Sequence, residues 1–114
     1  MQHLIIINDP PYGTERMYNA LRLAHALIKR EDHVTVFLMG DAVTGAKRGQ
    51  QTPEGFYNTE RMLHRVTRGG RLLLCGTCLD ARGIGEDELL EGAQRSTMDA
   101  LAEAADEAGH ILTF

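Results

Sequence analysis

Four short apolar runs constrain the fold of this chain more than any other feature of its sequence. They are His3 to Asn8 (HLIIIN), His33 to Met39 (HVTVFLM), Arg71 to Cys75 (RLLLC) and His110 to Phe114 (HILTF). Continuous apolar runs of this length are typical of strands that are buried on both faces, as in a parallel sheet. We therefore predict that each run is a strand of one buried sheet.

The segments between these runs have the features of amphipathic helices. Apolar residues of the segment 14–30 recur on one helical face, and Thr14 is positioned to cap its start. In the next connection, the sequence Thr-Pro-Glu at 52–54 predicts a helix start. In the last connection, Ser96 and Asp99 form a pair that resembles a capping box. Three helical segments between four strands predict right-handed crossovers.

Strands that alternate with helices indicate an α/β fold with an open, helix-flanked parallel sheet. No linker, repeat or low-complexity tract divides the chain, so we expect one domain over residues 1–114. The segment Gly40 to Gln51 is long, polar and rich in glycine, and long loops of compact domains are often functional. The segment Glu86 to Gly92 predicts a small acidic helix.

Composition excludes several classes of protein. The formal net charge is -4 and the twelve basic residues look scattered along the sequence, which argues against a nucleic-acid surface. The longest apolar runs are too short to span a bilayer, so no membrane association is expected. No secretory signal opens the chain, and with only two cysteines it fits a reducing, cytoplasmic compartment.

Both cysteines lie at the end of the third predicted strand. Cys75 occupies the carboxyl end, where open α/β sheets place their ligand sites, and Cys78 follows three residues later. A helical turn after Cys75 would direct N–H groups at its sulfur, and Arg82 would add positive potential, so a lowered pKa is expected. Alternatively, Cys75 is a buried, inert residue that packs as a small apolar group.

Two other roles for the C-x-x-C pair remain open but have less support. A structural zinc site needs four ligands, and His64 and His110 are not spaced as a second pair, so no metal is expected. A thioredoxin-like dithiol has this spacing, but that motif usually follows the first strand and opens a long helix.

Other loop residues at the same sheet edge are candidates for lining the site. Asn8 and Tyr12 lie in the rigid turn after the first strand, which contains two prolines and does not resemble a dinucleotide or flavin cradle, so no cofactor is expected. Asp41, which is also a candidate helix cap, and Gln50 lie in the loop after the second strand. Asp80 follows Cys78 and completes this set of auxiliary residues.

The sequence as a whole also resembles a known family. The stretches NDPPYGTERMYNALRLAHAL, VFLMGDAV, GQQTPEGFYNTERML and LLLCGTCLDARGI are similar to the DsrE/DsrF-like proteins, a sulfur-relay family that includes the TusD-type subunits. The resemblance covers almost the whole chain, and CGTCLDARG and PEGFYNTERML are its more specific parts. It implies a three-layer α/β/α fold around a mostly parallel sheet.

The resemblance also implies a function that spacing alone does not select. In the relay members, one cysteine at the end of this strand accepts sulfur as a persulfide and passes it on, and Cys75 takes that position here. The role of Cys78 is auxiliary in this reading. The expected partners are sulfur donor and acceptor proteins and further copies of this chain, as a homotrimer or homohexamer. A non-catalytic assembly or regulatory subunit with an inert Cys75 and a dithiol redox protein are the alternatives.

Overall fold

Five strands and four α-helices alternate along the chain. The computed structural model describes residues 1–114. The strands are β1 (Gln2–Ile7), β2 (His33–Leu38), β3 (Arg71–Cys75), β4 (Gln94–Ser96) and β5 (His110–Thr113). The α-helices are α1 (Arg16–Lys29), α2 (Thr59–Gly69), α3 (Gly76–Ala81) and α4 (Met98–Glu107), and 3-10 helices span Gly40–Ala46 and Glu86–Glu88.

All five strands belong to one sheet with the order β4-β3-β2-β1-β5, and every pairing is parallel. The four predicted strands are therefore confirmed. The sequence did not predict β4, because it has only three residues, Gln94, Arg95 and Ser96, and none of them is buried. A short polar edge strand carries no apolar run by which it could be recognised.

Side chains from the two faces of the sheet form two separate cores, because neighbouring residues of a strand point to opposite faces. On one face, residues such as Ile5, Val36 and Leu74 pack against α1 and α2 in a cluster of twenty buried residues. On the other face, Phe37 and Leu73 pack against α4 in a cluster of six. The three-layer α/β/α architecture is thus confirmed, with one layer much thinner than the other.

The helices begin at different residues from those predicted. The α2 helix starts at Thr59 and not near residue 52, because the Asn58 side chain accepts a hydrogen bond from the Arg61 amide at 3.1 Å. The cap of α4 is Thr97 and not Ser96, which ends β4 instead. The predicted acidic helix at 86–92 is one 3-10 turn.

The first helix begins at Arg16, two residues after the predicted cap. The Thr14 hydroxyl still accepts a hydrogen bond from the Arg16 amide, at 3.3 Å, although the residue that immediately precedes the helix is Glu15. The prediction for α1 is therefore correct in place, and the cap lies one residue later than predicted.

The two outer layers carry opposite charge. Helices α1 and α2 together contain six basic residues and a single carboxylate, whereas α4 contains four carboxylates and no basic residue. Half of the twelve basic residues of the chain therefore lie on the two helices of one layer. None of the helices combines the length and the apolarity needed to cross a lipid bilayer.

Candidate functional site

Cys75 is both the last residue of β3 and the residue that caps α3. Its backbone is extended, and its Sγ accepts a hydrogen bond from the Cys78 amide at 3.4 Å. The side chain lies with Leu73 and Phe37 on the face of the sheet that α4 covers, here called the thin face. The residue is only 7% exposed. The prediction that a turn after Cys75 would bring a backbone N–H to its sulfur is confirmed.

The position of Cys75 is a topological switch point. After β3, the chain enters α3, whose Leu79 belongs to the core shared with α1 and α2. After β4, which lies beside β3 with Ser96 opposite Cys75, the chain enters α4 on the other face. Neighbouring parallel strands whose connections leave toward opposite faces form the crevice in which α/β sheets bind ligands.

Cys78 lies in the first turn of α3 and contacts the loop that follows β2. Its Sγ accepts a hydrogen bond from the Gly40 amide at 3.2 Å. Gly40 has a positive φ of 57°, and a Cβ there would lie 3.4 Å from the Asn8 carbonyl oxygen, so glycine suits this position. Neither cysteine forms a disulfide. Each sulfur thus accepts a hydrogen bond from a backbone N–H, and the Asn8 carbonyl oxygen lies beside Gly40.

The pKa of the Cys75 thiol is raised and not lowered. Burial is the largest cause, and the neighbouring Cys78 side chain adds to it; the backbone amides of Cys78 and Thr77 act in the opposite direction. This differs from the expected lowered pKa, because the loss of hydration outweighs the two amide contacts.

The prediction that Arg82 lies beside Cys75 is wrong. It follows the last turn of α3, where its guanidinium donates to Asp41 Oδ1 at 2.8 and 3.1 Å and to the Cys78 carbonyl oxygen at 3.1 Å. Asp41 therefore does not cap a helix with its side chain, and the pair instead connects α3 to the 3-10 helix after β2. Both residues lie at the C-terminal end of α3, whereas Cys75 lies at its N-terminal end.

The basic side chain nearest the start of α3 is Arg95, which the sequence did not single out. It lies on β4, and its guanidinium donates to both carboxylate oxygens of Asp80, at 2.9 and 2.7 Å. The hydrogen bonds to Arg95 lower the pKa of Asp80. Arg95 was missed because β4 was missed: without that strand, nothing in the sequence places residue 95 beside residue 75.

Tyr12 and Gln50 are brought together, but around Thr59 and away from the cysteines. The Tyr12 hydroxyl contacts Gln50 Oε1 and accepts a hydrogen bond from the Thr59 amide at 3.0 Å. Gln50 Nε2 donates to the carbonyl oxygens of Gly45 and Lys47, each at 2.8 Å. No hydrogen bond joins this cluster to either sulfur, so its position indicates a role in holding the long loop.

Metal ligands and surface grooves are two further features that bear on the site. No three His, Cys, Asp or Glu side chains are grouped so that they could hold a metal ion. An open groove of about 500 Å³ runs along the β4 edge and is lined by Arg48, Glu86 and residues 89–95. Neither cysteine lines this groove, so a reagent reaches Cys75 only through its small exposed surface.

Comparisons with known proteins agree with this fold. The chain is 42% identical to the protein YchN of Escherichia coli over 118 residues, with all of both chains covered. The crystal structure of that protein superposes with a TM-score of 0.92 over the full length of both chains. The chain is also 35% identical over 114 residues to MJ0989, an uncharacterised protein of Methanocaldococcus jannaschii, again with both chains covered.

A more distant structure shows the fold alone. MTH1491 of Methanobacterium thermoautotrophicum, a protein of unknown function, has 17% identity and a TM-score of 0.80, with 99% of this chain and 98% of that chain covered. The model of the DsrE/DsrF-like family matches residues 1–114. The chain therefore belongs to the DsrE/DsrF-like family, the family of sulfur-relay type that its sequence resembles.

Proposed function

We propose that this protein carries sulfur as a persulfide on Cys75 between a donor and an acceptor protein. The observation that supports this most is the position of Cys75 at the switch point of the sheet, with the Cys78 amide directed at its sulfur. Membership of the DsrE/DsrF-like family supports the same function.

The chemistry needs a nucleophilic sulfur and little else. The Cys75 thiolate attacks the outer sulfur of a donor persulfide, a new S–S bond forms, and the donor leaves as a thiolate. An acceptor thiolate later attacks the same outer sulfur and releases Cys75. Neither step requires a metal, a cofactor or a general base. Because persulfides are more acidic than thiols, the loaded form is anionic at a pH at which Cys75 itself is protonated, and the amide at its sulfur favours that anion.

A second candidate, a non-catalytic assembly or regulatory subunit, is favoured by the surroundings of Cys75. Its exposure of 7% and raised pKa are those of a cysteine that packs as an apolar residue. The rate of alkylation separates the two functions. An inert Cys75 reacts with iodoacetamide no faster than a denatured control at neutral pH, whereas a carrier must open enough to admit a donor.

A third candidate is a dithiol redox protein, favoured by the proximity of the two thiols. The Cys78 side chain contributes to the raised pKa of Cys75, so the two sulfurs lie close enough to influence each other. The test is the reduction potential of the pair: a disulfide that is stable at cytosolic potentials of about -250 mV supports this function.

We also propose that the protein acts as an oligomer of at least three copies in the cytoplasm, without nucleic acid. The motivation is that one helix alone covers the thin face of the sheet, where Met98 of α4 and Ile111 of β5, which pairs with Leu4, remain 58% and 50% exposed. The segment Gly40–Gln51 is a weaker candidate for subunit contacts, because four residues of its 3-10 helix are buried within their own chain.

The proposed function is tested by sulfur loading. Wild type, Cys75→Ser and Cys78→Ser are incubated with glutathione persulfide, and intact mass is measured after removal of the donor. A gain of one sulfur by wild type and Cys78→Ser, but not by Cys75→Ser, supports the carrier function. If Cys75→Ser gains sulfur as readily as wild type while its circular dichroism is native, the assignment of Cys75 is wrong.

A further inference from the structure

The guanidinium of Arg95 lies across Gly76, the residue that follows Cys75. A Cβ built on Gly76 would lie 2.9 Å from both Cζ and Nε of Arg95 and 3.0 Å from its Nη2. These distances are shorter than a side chain tolerates. Arg95 can therefore occupy this position only because residue 76 is glycine, and an added methyl group would displace the flexible end of Arg95 without forcing the backbone to move.

Asp80 holds Arg95 in this position. Two parallel hydrogen bonds fix the plane of the guanidinium against the carboxylate, and this bidentate geometry is more rigid than a single contact. Asp80 is the main cause of the raised pKa of Arg95, and the negative charges of Glu86 and of the Cys75 thiolate contribute after it. The guanidinium thus faces the start of α3, close enough for the charge on Cys75 to act on it.

We propose that Arg95 is a positioning residue that makes Cys75 selective for anionic sulfur species, an inference that rests on the sulfur-carrier function. A low-molecular persulfide such as glutathione persulfide is anionic at neutral pH, and so is the loaded Cys75. The positive end of the Arg95–Asp80 pair attracts the incoming anion and favours the product, in which the sulfur carries the negative charge.

The transfer itself is balanced without any further reagent. The Cys75 thiolate forms an S–S bond with the outer sulfur of the donor, and the S–S bond of the donor breaks with its electron pair on the departing thiolate. The transferred sulfur keeps the negative charge that it carried. Cys75 releases its proton to water when it becomes the attacking thiolate, and the departing thiolate takes up a proton from water in turn. Arg95 forms no bond to any reacting atom in these steps and acts only through its charge.

The test compares two alkylating agents of different charge and does not depend on sulfur transfer. In a Cys78→Ser background, the rates of Cys75 alkylation by iodoacetate, which is anionic, and iodoacetamide, which is neutral, are measured across a range of pH. Arg95→Gln and Gly76→Ala should each lower the iodoacetate-to-iodoacetamide rate ratio about threefold or more. Arg95→Lys should retain most of the ratio.

Arg71→Gln is the matched control, because it removes one exposed charge from the opposite end of β3. Its ratio should equal that of the unsubstituted background. A ratio unchanged in both Arg95→Gln and Gly76→Ala overturns the proposal, and so does an equal fall in Arg71→Gln. If wild type gains no sulfur from glutathione persulfide while the ratio falls as expected, the carrier function fails and the charge selectivity of Cys75 is retained.

Discussion

Thr59 is the buried side chain on which the loop before α2 converges, and Thr59→Val tests how that loop is held. Its hydroxyl oxygen lies 2.9 Å from Gln50 Oε1, 3.1 Å from the Gly45 carbonyl oxygen and 3.3 Å from the Tyr12 hydroxyl. Thr59 is fully buried, so water does not replace a lost hydrogen bond. Valine has the same shape and nearly the same helix propensity, so the substitution removes the hydroxyl alone.

The expected loss in free energy of unfolding depends on which hydrogen bonds each acceptor retains. The Gly45 carbonyl retains a hydrogen bond from Gln50 Nε2 at 2.8 Å, and Gln50 Oε1 retains its contact with the Tyr12 hydroxyl. No acceptor is left without a partner. The loss is therefore that of one buried hydrogen bond, about 1 kcal/mol, and not the roughly 3 kcal/mol of an orphaned polar group. For a domain of this size, that corresponds to a fall of about 4 °C in Tm.

The assay is urea unfolding followed by circular dichroism at one fixed protein concentration, since self-association would shift the midpoint. Thr67→Val is the control: it lies on the same helix, and its hydroxyl donates to the His64 carbonyl where water can replace it. The control should change the free energy of unfolding by less than about 0.5 kcal/mol. If Thr59→Val is as stable as the control, or loses more than about 3 kcal/mol, the reasoning about retained partners is refuted.

Three further results are expected. Burial lowers the pKa of His25 below its usual value, so the unfolded chain takes up the proton first and stability falls as pH drops from about 7 to about 5; His25→Gln should reduce this slope in urea midpoints. Cys78→Ser should retain sulfur loading by intact mass, and a complete loss with a native fold would exchange the roles of the two cysteines. Light scattering at micromolar concentration should give at least a trimer, and a monomer would contradict the proposed assembly.

The sheet could be predicted from the sequence because its buried strands are written as apolar runs. Residues such as Val36 and Leu74 face a core on one side of the sheet while Phe37 and Leu73 face the other, so consecutive positions in the centre of these runs are apolar. β4 lacks this signal, since its three residues lie at an edge and are polar. The start of α2 was missed for a different reason: Thr-Pro-Glu has the composition of a helix start, but Asn58 makes the actual cap six residues later.

The position of Cys75 could be predicted from the sequence, but the residues that surround it could not. Cys75 follows a recognisable strand, so its place at the carboxyl edge required no knowledge of distant contacts. Which arginine approaches it depends on the order of the strands, and that order places Arg95 near the start of α3 and Arg82 beyond its end. The raised pKa of Cys75 likewise depends on how deeply the thin face is covered, which local sequence does not specify.

Locating the transferred sulfur within the chain shows directly whether Cys75 carries it. Wild-type protein is loaded with glutathione persulfide and treated with iodoacetamide, and the peptide that contains both cysteines is fragmented in a mass spectrometer. If Cys75 is the carrier, fragmentation shows an alkylated persulfide on Cys75 and a simple alkylated thiol on Cys78. An extra sulfur found on Cys78 alone, or on neither cysteine, would contradict it.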